Sequence, residues 1–276
     1  MKLFTTTWRI CLVCIFLISG INKDSIARST FHAIIITQND VAIGSARDRT
    51  RVPQEFAQIA RLIDMDLKKR EFDRYDRGIG NYINSLSVSA DDVIVVYYSG
   101  PGSNAGSSQW PMFFNSENRF KLDRIYTKVK AKSCRFKLVM FDCCNHRTGA
   151  RSSNRRSTGS ALPASAYVFL FKKTKGSVMI ASSKAGEYSY GNPLVGGYCT
   201  DGFFSALGQV SYQTATQQKN IWKNVKTKTI SNTKALCANA PRRQTPVFKL
   251  DIEGVSNSGS NPVCAPEKKR SNAPDF

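Results

Sequence analysis

Short apolar runs, separated by longer stretches with a helical repeat, make up most of the chain. Residues 32–37, 93–98 and 136–141 are almost continuously apolar, which is typical of strands buried on both faces of a sheet. Residues 178–182 and 244–250 predict two further strands. We expect these five runs to form one sheet.

Apolar residues at spacings of three and four predict helices between the strands. Residues 56–67 carry such a repeat, and Pro53 suits the first turn of their helix. The polar residues 38–51 before it are therefore predicted to be a loop. Further helices are predicted at residues 79–86, 122–129, 200–211 and 215–236.

The alternation of strands and helices predicts the fold class. It indicates an α/β fold, in which a mostly parallel central sheet is covered by helices on both faces in a three-layer sandwich. Ligands of such sheets bind beyond the carboxyl ends of the strands. The loops after Thr37, Tyr98 and Phe141 should therefore meet at the edge that carries the site.

One domain, residues 28–255, is expected between two segments of different composition. In residues 1–27, basic residues precede an apolar run at 10–18, about half of the roughly 20 residues that a spanning helix needs. We predict a signal peptide and a secreted or extracytoplasmic protein with no stable membrane span; the alternatives are an uncleaved anchor or neither. Residues 146–165 are predicted to be a flexible basic loop and residues 256–276 a disordered tail.

The charge of the chain changes the list of expected partners. The formal net charge is +20, and removal of residues 1–27, with three cations and one anion, would leave +18. Such a field attracts phosphates, anionic lipid surfaces or acidic proteins. Basic residues are scattered over residues 219–243, but no recognisable nucleic-acid-binding module accompanies them, so nucleic acid is not the expected partner.

The cysteines and histidines argue against a metal site. Six of the eight cysteines follow residue 27, a number that permits disulfides in an exported protein without requiring any. The neighbours Cys143 and Cys144 suit disulfide geometry poorly. Because there is no C-x-x-C pair after residue 27, and His32 and His146 are the only histidines, we predict no metal and no cofactor. Dependence on calcium is left open.

Two strand ends carry a resemblance to a known family. The strand that runs into Ser99-Gly100-Pro101-Gly102 is similar to the caspase and metacaspase motif that ends in Ser-Gly-His-Gly. The strand that runs into Asp142-Cys143-Cys144-Asn145 is similar to the second motif, Asp-x-Cys. Residues 185–187 and 196–200 resemble segments that follow in this superfamily. The resemblance spans residues 32–250 and implies a caspase-like fold with the site of a cysteine endopeptidase.

The resemblance also implies roles for single residues. Cys144 takes the position of the nucleophile, and the N–H groups of Gly102 and Cys144 take that of the oxyanion donors. The acidic residues that bind a basic substrate side chain in metacaspases match Asp142 and Asp48, with Asp40 as an alternative to Asp48. Structural roles stay open for each: Cys144 as a small buried apolar residue, Asp142 as a cap for loop N–H groups, and Asp48 as a solvated loop acid.

Pro101 stands where the family has its catalytic histidine. Proline has no titratable group and no N–H, so it can serve neither as an acid nor as a base. Losing one member of such a catalytic set costs on the order of 10⁴-fold in rate. His146 could reach Cys144 only if its loop curls back, and His32 begins the first strand, at the end opposite the expected site. We therefore predict impaired catalysis.

Three functions are open from the sequence. The favoured one is a caspase-like protein without efficient peptidase activity, which binds a protein or peptide substrate with basic residues or another protein partner. The second is an active endopeptidase that cuts after Arg or Lys with Cys144 as nucleophile, and the basic loop 146–165 would then suit self-processing. The third is a basic protein that binds polyanions on this fold.

Overall fold

The computed structural model describes residues 28–104, 108–115, 118–146, 151–152, 164–238, 240 and 243–253. The predicted signal segment and the predicted tail lie outside the described residues. A π-helical segment, Val168–Lys173, directly follows the fourth helix. The strands and helices are, in chain order, β1 (Thr30–Thr37), α1 (Ser45–Leu62), β2 (Asp66–Asp73), α2 (Ile79–Ser85), β3 (Val93–Ser99), β4 (Met112–Phe114), β5 (Arg119–Lys121), α3 (Leu122–Lys130), β6 (Phe136–Asp142), β7 (Arg151–Ser152), α4 (Ala164–Tyr167), β8 (Gly176–Ala181), β9 (Tyr190–Asn192), β10 (Gly196–Gly197), α5 (Tyr198–Leu207), α6 (Ala215–Lys219), α7 (Ile221–Leu236) and β11 (Val247–Ile252).

A six-stranded sheet forms the centre of the protein. Its strands lie in the order β11-β8-β6-β3-β1-β2, and all neighbours are parallel except β11, which pairs antiparallel with β8. The five predicted strands are all present in this sheet. Strands β10, β9 and β7 form a separate small sheet, and β4 pairs with β5.

Side chains that alternate along the strands divide the core into two layers. Val95 and Tyr97 of β3 face the layer that contains α1, α5 and α7. Val96 and Tyr98 face the opposite layer, which contains α2 and α3. Helices therefore cover both faces of the sheet, and the expected three-layer α/β sandwich is confirmed.

The first helix departs from the prediction at both ends. It begins at Ser45, not near Pro53, and Pro53 lies within it. Residues 45–51, predicted to be a loop, are therefore helical, which places Asp48 in the first turn, where a carboxylate interacts favourably with the helix dipole. The helix ends at Leu62, and Leu67, predicted to be helical, lies in β2.

Four other elements had no clear signal in the sequence. Strand β2 is the edge of the sheet and is mostly exposed and charged, so it lacks the apolar run of a buried strand. Residues 151–152 of the predicted flexible loop pair with β9. Helix α4 and the π-helical segment after it begin at Ala164, where that loop was expected to end.

No helix among the described residues is both long enough and apolar enough to cross a membrane.

Replacing Trp222 should destabilise the helical layer over β6. Trp222 is 2% exposed, its ring centroid lies 5.0 Å from that of Phe136, and its Nε1 donates to the carbonyl of Leu170 at 3.0 Å. We predict that Trp222→Ala lowers the free energy of unfolding by about 3–5 kcal/mol. Urea denaturation measures this, with the exposed residue of the same helix, Lys226→Ala, as control. Equal losses in the two variants would contradict the assignment.

Candidate active site

The two motifs of the caspase resemblance meet at the carboxyl edge of the sheet. Ser99 at the end of β3 and Asp142 at the end of β6 are partners in the strand register. The N–H of Gly100 donates to the carbonyl of Asp142 at 3.3 Å. The loops that begin with Gly100 and Cys143 therefore leave neighbouring strands side by side.

Gly102 packs directly against the cysteine loop. A Cβ at this position would lie 2.6 Å from Cβ of Cys143 and 2.8 Å from the carbonyl oxygen of Cys144, so only glycine fits. Within the described part of the chain, no acceptor is hydrogen-bonded to the N–H of Gly102 or of Cys144. The two donors predicted for an oxyanion thus lie on adjoining loops.

The thiol of Cys144 is buried and held by one neighbour. Its Sγ donates to the carbonyl of Ser189 at 3.6 Å and accepts from the N–H of Ser189 at 3.4 Å. The residue is 1% exposed, and burial raises the pKa of the thiol to about 11. The sulfur is therefore protonated at neutral pH, whereas the thiolate is the nucleophilic form.

Neither histidine is a hydrogen-bond partner of this sulfur, since both of its hydrogen bonds go to Ser189. His32 lies at the amino end of β1, where its Nε2 is 3.1 Å from Asp92 Oδ2, so its expected distance from the site is confirmed. His146 stacks on the ring of Tyr188 at 4.4 Å between centroids. Pro101 contributes its carbonyl oxygen, which accepts from the hydroxyl of Tyr98 at 2.6 Å.

Asp48 is fully buried within the site. Its Oδ2 accepts from the hydroxyl of Ser99 at 2.6 Å, from that of Tyr97 at 3.1 Å and from the N–H of Gly197 at 3.1 Å. Burial, followed by the charge of Asp142, raises the pKa of Asp48 to about 7. The alternative of a solvated loop acid is wrong, because Asp48 belongs to a helix and is 0% exposed.

Asp40, the other candidate, stabilises a turn instead. Its Oδ1 accepts from the N–H of Ala42 at 3.0 Å, in the loop between β1 and α1.

Asp142 is the second buried carboxylate of the site. Its Oδ2 accepts from both the N–H and the hydroxyl of Thr200, at 2.8 and 2.7 Å, and its Oδ1 accepts from the hydroxyl of Ser189 at 2.6 Å. Burial raises the pKa of Asp142. The backbone N–H that it binds belongs to the first turn of α5 and not to the loop after β6, where the capping role was expected.

Two neighbouring glycines leave room for both carboxylates. A Cβ on Gly197 would collide with the carboxylate of Asp142 and come within 3.1 Å of Asp48 Oδ2, and one on Gly196 would collide with Asp48. The hydroxyl of Tyr97 lies 2.7 Å from Thr200 Oγ1, which links the two groups of hydrogen bonds. We name Asp48 and Asp142 the acid pair.

A small cleft opens between the acid pair and the thiol. It is lined by Ser99, Gly100, Asp142, Cys144, Ser189 and Gly197. Asp142 reaches this cleft, and Asp48 lies behind it. In the described ranges, no cluster of three or more His, Cys, Asp or Glu residues could hold a metal ion.

Motif reasoning missed the residues that hold the acid pair. They are Tyr97, Ser99, Ser189, Gly197 and Thr200. Ser99 stands in the first motif, and Gly197 and Thr200 stand in a segment that resembles the family, so the resemblance marked their positions. It did not indicate that they donate to buried carboxylates.

The acid pair should make stability depend on pH. Because the folded-state pKa of Asp48 lies above its ordinary value of 3.8, its contribution is fully present below that value and is lost as the pH rises through about 7. We predict that the melting temperature falls between pH 5 and pH 8, and that Asp48→Asn flattens this slope.

Melting curves across this pH range, with Asp40→Asn as control, test the assignment. A slope that Asp48→Asn leaves unchanged would contradict it.

Comparisons with known proteins agree with the fold. The chain resembles caspase-1 from Spodoptera frugiperda with a TM-score of 0.51 and 14% identity, over 82% of this chain and 90% of that one; at this identity the likeness shows the fold alone. No curated protein matches the sequence. The family model of the caspase domain matches residues 30–251, and the chain therefore belongs to the caspase family.

Proposed function

We propose that this caspase-family protein binds exposed Arg or Lys side chains of a protein or peptide partner at the acid pair, and that it is impaired as a peptidase. One observation carries the proposal. Asp48 and Asp142 are two buried carboxylates that form no ion pair with any Lys or Arg among the described residues. The family acts on protein substrates, so a cation supplied by a protein is the natural partner.

Electrostatics favours such a ligand. A buried carboxylate loses its hydration and is compensated best by a hydrogen-bonded opposite charge. In the unliganded protein, hydroxyl and N–H donors from Ser99, Thr200 and Gly197 partly replace that charge. A guanidinium or ammonium entering beside Asp142 would add the missing positive charge and lower the pKa of both acids.

Entry of a side chain requires the cleft to widen. Gly196 and Gly197 lie against the acid pair, and their strand β10 consists of these two residues alone. Leu194, in the turn before them, is 61% exposed. Movement of this short hairpin would open a path to Asp142 without disturbing the six-stranded sheet.

Two features support impaired catalysis. Pro101 replaces the imidazole that would take the thiol proton, and burial raises the pKa of Cys144 to about 11. A caspase-type mechanism needs the thiolate and an acid for the leaving amine. Among the described residues, no acid or base is hydrogen-bonded to the sulfur, because its two hydrogen bonds go to the backbone of Ser189.

We further propose that the protein is exported before it acts, from the signal-like composition of residues 1–27. The five cysteines within the described ranges are free thiols, and four of them are buried. Burial limits the exposure of these thiols to oxidants, so they could stay reduced in an oxidising compartment.

A peptidase assay tests the impairment. We predict that the mature protein cleaves fluorogenic Arg and Lys peptides no faster than its Cys144→Ala variant does. We expect Pro101→His to restore slow, Cys144-dependent cleavage, because the substitution supplies an imidazole at this position. The local backbone should keep its place, since the hydroxyl of Tyr98 donates to the backbone carbonyl at position 101, which any residue provides. Turnover by the unmodified protein that depends on Cys144 would overturn the pseudoenzyme proposal.

Calorimetry with an uncleaved peptide tests recognition separately. We predict that an Arg peptide binds, that its citrulline counterpart binds weakly, and that Asp142→Asn weakens the Arg complex by about 30-fold or more, the equivalent of about 2 kcal/mol for a buried charged contact. The control is Asp64→Asn, an exposed acid between α1 and β2. Equal affinities for the Arg and citrulline peptides would refute binding by charge.

A further inference from the structure

A second groove lies at the edge of the sheet opposite the candidate active site. It is bordered by the π-helical segment, the junction of α6 and α7, and the end of β11. Lys175 precedes the first residue of β8, and Ile252 pairs with that residue, so this is the amino edge of the parallel strands. The six residues of β8 separate it from the carboxyl edge by about 20 Å.

The floor of the groove is apolar. Phe169 of the π-helical segment, Ile221 of α7 and Ile252 of β11 line it. Ile221 is buried in the core, whereas Phe169 and Ile252 are only partly buried and pack at the margin of the core. The groove therefore offers apolar surface that the fold itself does not cover.

The rim of the groove is basic. Lys173, Lys175 and Lys219 border it together with one acid, Glu253. Lys175 pairs with Glu253 at 2.9 Å, and both side chains are more than half exposed. Lys173 and Lys219 form no ion pair with any acid in the described ranges. The rim thus has three ammonium groups for one carboxylate, and two of the three have no acidic partner within the described ranges.

We propose that this groove is an exosite for an acidic segment of a partner protein, in which an apolar side chain is flanked by Asp or Glu. The apolar side chain would cover Phe169 and Ile252, while the flanking carboxylates pair with Lys173 and Lys219. The net positive charge, +20 for the full chain and +18 without residues 1–27, would speed the approach of such a segment. The inference is independent of the proposed function, because the acid pair lies at the other edge.

The apolar floor favours this ligand over a polyanion. Heparin and nucleic-acid backbones bind to clusters of Lys and Arg through their sulfate or phosphate groups. Partly buried Phe and Ile side chains add little to the affinity of such a complex. An acidic-apolar peptide uses both features of the groove, and apolar burial supplies most of the affinity at interfaces of this kind.

The test uses a labelled peptide with a Phe-Leu pair between two acidic pairs, measured by fluorescence anisotropy against the full-length protein. We expect Lys173→Glu with Lys219→Glu to weaken binding at least about 10-fold, and the milder Lys173→Gln with Lys219→Gln to weaken it less. The matched control is Lys226→Glu with Lys234→Glu, which makes the same change in net charge at exposed positions of α7 outside the groove. Thermal melting of each variant verifies folding.

Each outcome decides the proposal. Support requires a selective loss in the groove variants, weaker binding of a peptide with Ser-Ser in place of Phe-Leu, and no effect of Asp142→Asn. Equal losses of affinity in the groove and control variants would show that the peptide responds only to the overall positive charge, and would overturn the proposal. If heparin binds through the same two lysines and the Phe-Leu pair does not strengthen peptide binding, the groove is a polyanion site and the proposal is wrong. Absence of measurable peptide binding would overturn the proposal.

Discussion

The candidate site depends on the burial of two carboxylates at the carboxyl edge of a parallel sheet. Asp48 comes from α1 and Asp142 from β6, and their donors come from β3, the segment between β8 and β9, β10 and the first turn of α5. Unpaired carboxylates at this depth would be very costly, so every surrounding element must supply a hydroxyl or an N–H. The same two carboxylates leave no room for a side chain at Gly196 or Gly197.

Under the proposed function, the same arrangement would separate recognition of a basic side chain from bond cleavage. The acid pair is complete, with each carboxylate accepting several hydrogen bonds. The thiol lies next to it, yet burial raises its pKa, and Pro101 stands where the motif resemblance predicts the proton acceptor. We propose on this basis that the site holds a basic side chain without cutting the chain that carries it.

The sequence predicted the sheet well because its strands are buried on both faces, so their apolar runs are unmistakable. It failed where burial was one-sided or absent, as in the exposed edge strand β2. It also failed at the start of α1, because Pro53 suggested a helix start although it lies inside the helix. That error made Asp48 a loop residue, although the family resemblance had predicted that Asp48, or alternatively Asp40, shares a pocket with Asp142. The donors that surround the acid pair could not be predicted, because Tyr97, Ser189 and Thr200 are far apart in the sequence and meet only in the folded chain.

The most direct test of binding without cleavage is a crystal structure of the mature protein with a peptide that contains one central Arg. We expect an intact peptide, with guanidinium nitrogens within about 3 Å of the Asp142 carboxylate, a displaced Gly196–Gly197 strand and an unmodified Cys144. A cleaved peptide, an acyl group on Cys144, or a guanidinium bound away from the acid pair would contradict it.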